Sequence, residues 1–215
     1  MQKTAFIIVD VQNDFCPGGS MAVQGGNEII GPINSLLKDN SESGGELFRK
    51  VIATADWHPR HHVSFASEHE GRQPFEVIES NGLSQNLWPS HCVAGSGGAE
   101  FHPDLQIDFA DLIIRKGMQM SLDSYSAFFE NDGTTPTGLA GYLHEFGVEE
   151  IYLCGLAFDW CVYYSALDAH RLGFHVFVIE DLTRPVDIPP GIAAERKEAM
   201  IQKGIVICDL RSLYD

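Results

Sequence analysis

Short, largely apolar runs recur along the chain at Ala5–Val9, Val51–Ala53, Leu112–Ile114, Ile151–Leu153, Phe174–Ile179 and Ile205–Ile207. Their length and their lack of polar alternation predict strands buried on both faces. Between most of them lie segments with helical patterning: Asn27–Lys38, Leu139–Phe146, Trp160–Leu172 and Ile192–Lys203. Alternation of this kind predicts a mainly parallel central sheet covered by helices on each side, a three-layer α/β/α architecture. The exception is Trp57–Asp108, a stretch rich in His, Pro, Gly and Ser with little periodicity. Loops of that length inside a compact domain are uncommon and usually functional, so this one is expected to line the site. Ser41–Glu46 and Asn131–Gly138 read as ordinary surface connections.

The length of 215 residues is consistent with one domain spanning 1–215. A formal net charge of -16 argues against nucleic acid or an anionic membrane surface as partner, because both require clustered Lys and Arg. A small uncharged substrate fits better. The five cysteines, Cys16, Cys92, Cys154, Cys161 and Cys208, are odd in number and scattered, unlike a disulfide framework. Met1–Val9 reads as a strand and not as a leader, and no apolar run approaches the roughly twenty residues of a membrane span. A cytoplasmic location is the simplest expectation. Assembly into a homo-oligomer is left open by the sequence.

In open parallel sheets, ligands sit in the crevice beyond the carboxyl ends of the strands. The residues at or just past those ends are Asp10, Asp56, Lys116 and Cys161. Cys161 falls where a strand gives way to a helix, and the positive end of a helix dipole favours the nucleophilic thiolate. A carboxylate can accept a thiol proton and an ammonium can stabilise the resulting anion, so Asp10, Lys116 and Cys161 form a candidate nucleophile triad. Asp56 and His58 occupy alternate positions, which in an extended segment point to one side. With His91 they make an open metal site suited to Zn²⁺, Fe²⁺ or Mn²⁺. His61, His62, His69 and His102 lie in the same stretch, so spacing alone does not single out the third ligand. Phe15, Trp88 and Tyr125 are candidate walls for a flat ring, or simply core aromatics.

The segments Asp10-Val11-Gln12-Asn13-Asp14-Phe15, Asp56-Trp57-His58-Pro59, Trp88-Pro89-Ser90-His91-Cys92-Val93, Lys116-Gly117 and Gly155-Leu156-Ala157-Phe158-Asp159-Trp160-Cys161-Val162 resemble the nicotinamidase (pyrazinamidase) family of isochorismatase-like cysteine hydrolases. The match follows the family's motif order over nearly the whole chain. The resemblance implies hydrolysis of nicotinamide to nicotinate and ammonia through a thioester, a step in NAD salvage. It implies Asp10, Lys116 and Cys161 as catalytic residues, and Asp56, His58 and His91 as ligands of one divalent metal ion, zinc foremost, with iron or manganese as alternatives. It also implies backbone N–H groups of Ala157 and Cys161 as oxyanion donors, a cis peptide at Leu156-Ala157, and Phe15, Trp88, Tyr125 and Leu156 as contacts for an aromatic amide. Phe158 and Trp160 depart from the family's usual residues and leave the pocket's shape undetermined. Ser64 lies near a place where some relatives carry a further ligand, so water is expected to complete the shell.

Other readings are weaker. A metal-free carbamoyl or ureido amidohydrolase of the same superfamily has no use for the Asp56, His58, His91 set, and an isochorismatase has no need of a thiol. A non-catalytic protein with a structural zinc loop would enlist Cys92 beside His58 and His91, yet closed structural sites usually use several cysteines. A nucleotide-binding module lacks a Gly-x-Gly-x-x-Gly after a strand.

Overall fold

The computed structural model describes residues 3–214; Met1 and Gln2, from the expected first strand, lie outside them. Six parallel strands form the central sheet: β1 (Thr4–Val9), β2 (Lys50–Asp56), β5 (Leu112–Lys116), β6 (Glu150–Leu156), β7 (His175–Arg184) and β8 (Val206–Cys208), in the spatial order β5-β2-β1-β6-β7-β8. The central strand β1 is buried at every position, as its unbroken apolar run predicts. The edge strand β5 alternates instead, leaving Ile113 48% exposed.

Four helices connect the strands: α1 (Ile30–Glu42), α2 (Leu139–Glu145), α3 (Tyr163–Arg171) and α4 (Ile192–Gln202). In α1 the apolar positions Ile30, Ile33, Leu36 and Leu37 fall on one buried stripe, and Pro32 is tolerated because it lies in the first turn, where its missing N–H has no intrahelical partner. The chain runs one way from β1 through α1 to β2 and on to β5, then returns through α2 to β6 and continues outward through α3 to β7 and α4 to β8. With the right-handed crossovers that are the rule for parallel strands, such a reversal sets helices on opposite faces. The strand order reverses between β1 and β6, and the carboxyl ends there form the crevice.

The stretch from 57 to 108 is more regular than its composition suggests. It contains an antiparallel hairpin, β3 (Val77–Ser80) and β4 (Leu83–Asn86), turned by Asn81 and Gly82, both at positive φ. The Asn-Gly pair between apolar positions is a hairpin signal that the aperiodic reading passed over. Around it, the segments near 58–66 and 88–94 run side by side. His58 N–H donates to the Cys92 carbonyl (3.0 Å), Trp88 N–H to the Ser64 carbonyl (2.7 Å) and Ala66 N–H to the Trp88 carbonyl (2.9 Å).

A second difference lies after β6. The helix expected from Trp160 begins as a wide turn over Phe158–Val162, in which Val162 N–H reaches back five residues to the Ala157 carbonyl (3.1 Å), and the α-helix proper starts at Tyr163. Gly155 feeds this turn at φ +105, and a Cβ there would overlap the Val9 carbonyl oxygen on the neighbouring strand. Gly155→Ala is therefore expected to destabilise the fold by about 3 kcal/mol or more, a combination of positive φ and backbone overlap. Urea denaturation checks this, and a loss below about 1 kcal/mol would contradict the packing described.

Candidate active site

Asp10, Asp56 and Lys116 come from the carboxyl ends of three adjacent strands, and Cys161 from the wide turn after β6. The sheet register brings them together: Asp56 lies beside Lys116 across the β2–β5 pair. The Lys116 ammonium is fully buried and ion-pairs with Asp10 Oδ2 at 2.9 Å and with Asp56 Oδ1. It also donates to the Ser124 carbonyl at 3.0 Å and stands 3.5 Å from Cys161 Sγ. Asp10 sits just past β1 at φ 49, an uncommon conformation for a residue with a side chain. Thr54 donates to its Oδ1 at 2.6 Å.

Thr54 was not among the expected site residues. The available signal was a polar residue two positions before Asp56 on a buried strand, hence on the same face. Gln12 was missed as well. Its side-chain N–H donates to the Asp56 carbonyl (2.9 Å) and the Ala99 carbonyl (2.8 Å), while its oxygen accepts from Asp56 N–H (2.8 Å). That clamp ties the end of β2 to the loop after β1.

The electrostatics correct one expectation. A helix dipole was expected to favour a Cys161 thiolate, yet burial pushes this thiol well above its ordinary range, and the neighbouring Asp10 and Asp56 raise it further against the opposing pull of Lys116. Burial likewise raises Asp10, with Lys116 opposing. For Asp56 burial also opposes ionisation, but Lys116, His58 and His91 together outweigh it and hold the carboxyl below the usual carboxylate range. Burial thus favours the neutral thiol at Cys161 and raises the proton affinity of the neighbouring Asp10, so both groups shift in the same direction.

Asp56 also faces His58 and His91. Its Oδ2 lies 3.5 Å from His58 Nε2 and 3.9 Å from His91 Nε2. The Nδ1–H of His58 donates to the Gly117 carbonyl at 2.9 Å and that of His91 to the Pro89 carbonyl at 2.8 Å. Both Nε2 atoms are thereby left facing the carboxylate, the orientation that ligating histidines adopt, and without a cation, against the opposing effect of burial, Asp56 raises His58 by favouring its charged form. Burial and the nearby His58 push His91 down to about 4, which keeps it neutral. Ligand atoms spaced in this way fit a cation bonded at about 2.0–2.2 Å. Ser64 takes no place beside them, because its hydroxyl is held by His62 Nδ1 at 2.7 Å. Cys92 forms no ligand group with His58 and His91 among the described residues, which removes the basis for a structural zinc loop.

Cys161, Asp56 and His91 open onto a cleft of about 400 Å³ whose walls include Phe15, Trp88, Tyr125, Ala157 and Trp160. Trp88 N–H donates to the Tyr125 hydroxyl at 3.2 Å, joining two of these walls. Leu156 differs from expectation. As the last residue of β6 it is fully buried, its side chain turned toward Gly26 in the core, and it is absent from the cleft wall. The Leu156-Ala157 peptide is cis.

Residues 4–202 match the isochorismatase domain model. The chain is 49% identical over 184 residues to a nicotinamidase of Acinetobacter baylyi, covering 86% of this chain and 82% of that one. It is 41% identical to a nicotinamidase of Escherichia coli, over 98% and 96% of the two chains. Among solved structures, an Acinetobacter baumanii nicotinamidase/pyrazinamidase superposes with a TM-score of 0.93 at 47% identity, with 99% of each chain covered. The yeast nicotinamidase bound to the inhibitor nicotinaldehyde gives 0.88 at 30% identity, over 96% and 99%. A Pyrococcus horikoshii pyrazinamidase in complex with zinc gives 0.78 at 33%, over 97% and 99%. The chain belongs to the isochorismatase family, in its nicotinamidase/pyrazinamidase group, and its ligand set is one for a divalent metal.

Removing the cation at the centre of the site would leave two buried carboxylates facing each other. Lys116→Ala is expected to lower unfolding free energy by about 3–5 kcal/mol, the usual cost of orphaning buried charge. Chemical denaturation beside Cys161→Ala, which leaves that charge pairing intact, checks the assignment; equal stability of the two variants would contradict it.

Proposed function

We propose that the chain is a nicotinamidase that hydrolyses nicotinamide to nicotinate and ammonia through a thioester on Cys161. The observation that carries this reading is the buried Lys116 ammonium, held between Asp10 and Asp56 and 3.5 Å from the Cys161 sulfur, at the wall of an aromatic-lined cleft. The close nicotinamidase relatives support the substrate. The same reading treats residues 1–215 as one hydrolase domain acting in salvage of the pyridine ring. No helix among the described residues is long and apolar enough to cross a membrane, which is compatible with a cytoplasmic location.

In this mechanism Asp10 takes the Cys161 proton as the sulfur attacks the carboxamide carbon. Lys116 steadies the negative charge, and the N–H groups of Ala157 and Cys161 hold the oxyanion. Asp10 then protonates the departing nitrogen, releasing ammonia and leaving the thioester. It next draws a proton from water as that water attacks the acyl carbon, and nicotinate leaves with the thiol restored. Phe15, Trp88 and Tyr125 hold the ring. Asp56, His58 and His91 would hold a divalent ion, with zinc the foremost candidate, and when bound that ion supplies a Lewis acid to orient the ring nitrogen. The metal-free amidohydrolase reading leaves this trio without a purpose.

Ammonia release from nicotinamide, pyrazinamide and a carbamoyl amine tests the reading directly. The wild-type chain is expected to act on the two aromatic amides, while Cys161→Ala binds nicotinamide but turns none over. Substantial ammonia from that variant, or preference for the carbamoyl amine, would overturn it.

The raised proton affinity of Asp10 also sets a pH signature. The base must be ionised to accept the thiol proton, so activity falls as pH drops through its elevated value. The acid limb of kcat/KM is expected above the ordinary carboxylate range, and the raised Cys161 keeps its own loss of a proton out of the neutral region. A pH–rate profile with its acid limb at or below an ordinary aspartate would count against Asp10 as the base.

A further inference from the structure

The reactive cleft, about 400 Å³, and an adjoining groove of about 760 Å³ share a wall made by Trp88 and Trp160. The two indoles meet edge to face, centroids 4.7 Å apart at 87°. Trp88 is held by its hydrogen bond to Tyr125. Trp160 has no such anchor, since its Nε1 is buried without a hydrogen-bond partner among the described residues. What lies over its face is the guanidinium of Arg196, from α4, 4.8 Å from the ring centroid. The same cation stands 4.3 Å from the Tyr163 ring and 4.9 Å from the Tyr164 ring. Its Nη1 is likewise buried with no hydrogen-bond partner among the described residues, so the ring faces, together with the charge of the nearby Asp159, are what hold it. The adjacent carboxylate, Asp159, is taken up by the N–H groups of Val186 and Asp187 at 2.9 and 2.8 Å.

We propose that Arg196 is a positioning residue for substrate specificity: by stacking on Trp160 it keeps the partition between cleft and groove closed and limits the acyl group to a single aromatic ring. The proposal rests on the nicotinamidase reading above. Without the stack, Trp160 is free to turn toward the groove, whose walls at Phe75, Val77, Pro189 and Ile192 are apolar and suit a second fused ring. Phe75 and Val77 are 44% and 58% exposed, so the groove opens to solvent and admits a substituent from outside. The substrate class that the closed partition rejects is therefore the fused bicyclic aromatic amide.

The test compares kcat and KM for nicotinamide and for isoquinoline-4-carboxamide, whose second ring leaves both flanks of the ring nitrogen free. Arg196→Met keeps the aliphatic stem and removes the cation. It is expected to raise the ratio of kcat/KM, bicyclic over nicotinamide, by about tenfold, expressed in KM, with kcat for nicotinamide changed by less than about threefold. Arg196→Lys, which keeps a charge but not the planar stack, should give an intermediate ratio. Trp160→Leu should raise the ratio further, and Arg196→Met should add nothing in that background, because both changes act through the same ring. An unchanged ratio, an equal fall in kcat for both amides, or additive effects in the double variant would overturn the proposal. If thermal melts show that Arg196→Met does not fold, Arg196→Lys carries the test, and no rise in its ratio is the overturning result. Failure of the nicotinamidase reading would appear separately, as no ammonia from nicotinamide with the unmodified chain, and would remove this proposal with it.

Discussion

A lysine ammonium buried between two carboxylates is the constraint on which the rest of the site depends. Lys116 is fully inaccessible, and burying its charge is tolerable only because Asp10 and Asp56 are within contact and the Ser124 carbonyl accepts a further hydrogen bond from it. Lys116 and its two carboxylate partners stand at the ends of three neighbouring strands, so the charge balance holds only if β5, β2 and β1 end at one level. The sheet register and the electrostatics therefore specify each other. Gln12 and Thr54 extend the same logic, each pinning a carboxylate-bearing segment by hydrogen bonds made entirely inside the protein.

The same burial bears on the candidate nucleophile. A thiolate at Cys161 would face the carboxylates of Asp10 and Asp56 as well as the Lys116 ammonium. Cys161 is accordingly held as a thiol, with Asp10 primed as acceptor by the same burial that raises both groups. Burial raises the other buried cysteines, Cys16, Cys92 and Cys154, as well, and they pack as small apolar side chains.

Asp56 links the two halves of the site, since one oxygen meets Lys116 and the other faces His58 and His91. The candidate metal ligands and the surroundings of Cys161 thus meet at a single carboxylate. On the far side of the cleft the constraint is one of shape. The aromatic wall of Trp88, Tyr125 and Trp160 is continued outward by Tyr164 and Arg196, so a cation on α4 bears on the same surface that meets a ring.

The strands, the helices and the four chemical residues at the strand ends were legible because each rests on a local pattern: an apolar run, a helical stripe, a polar residue where the run stops. The β3–β4 hairpin was equally local, announced by Asn81-Gly82, and was passed over because its exposed strands carry little apolar signal. Spacing alone did not show His91 beside Asp56, the inward turn of Leu156 or the contact of Ser64 with His62, although the motif resemblance had named His91. Each depends on which segments lie side by side after the chain has closed on itself. The same holds for the neutral state of Cys161, since a helix terminus can be read from neighbours in sequence but burial cannot. By itself the sequence determined the kinds of groups and the edge of the sheet on which they gather; only the tertiary structure decided their protonation, their partners and the walls around them, because charge burial and ring packing are set by residues far apart in the chain.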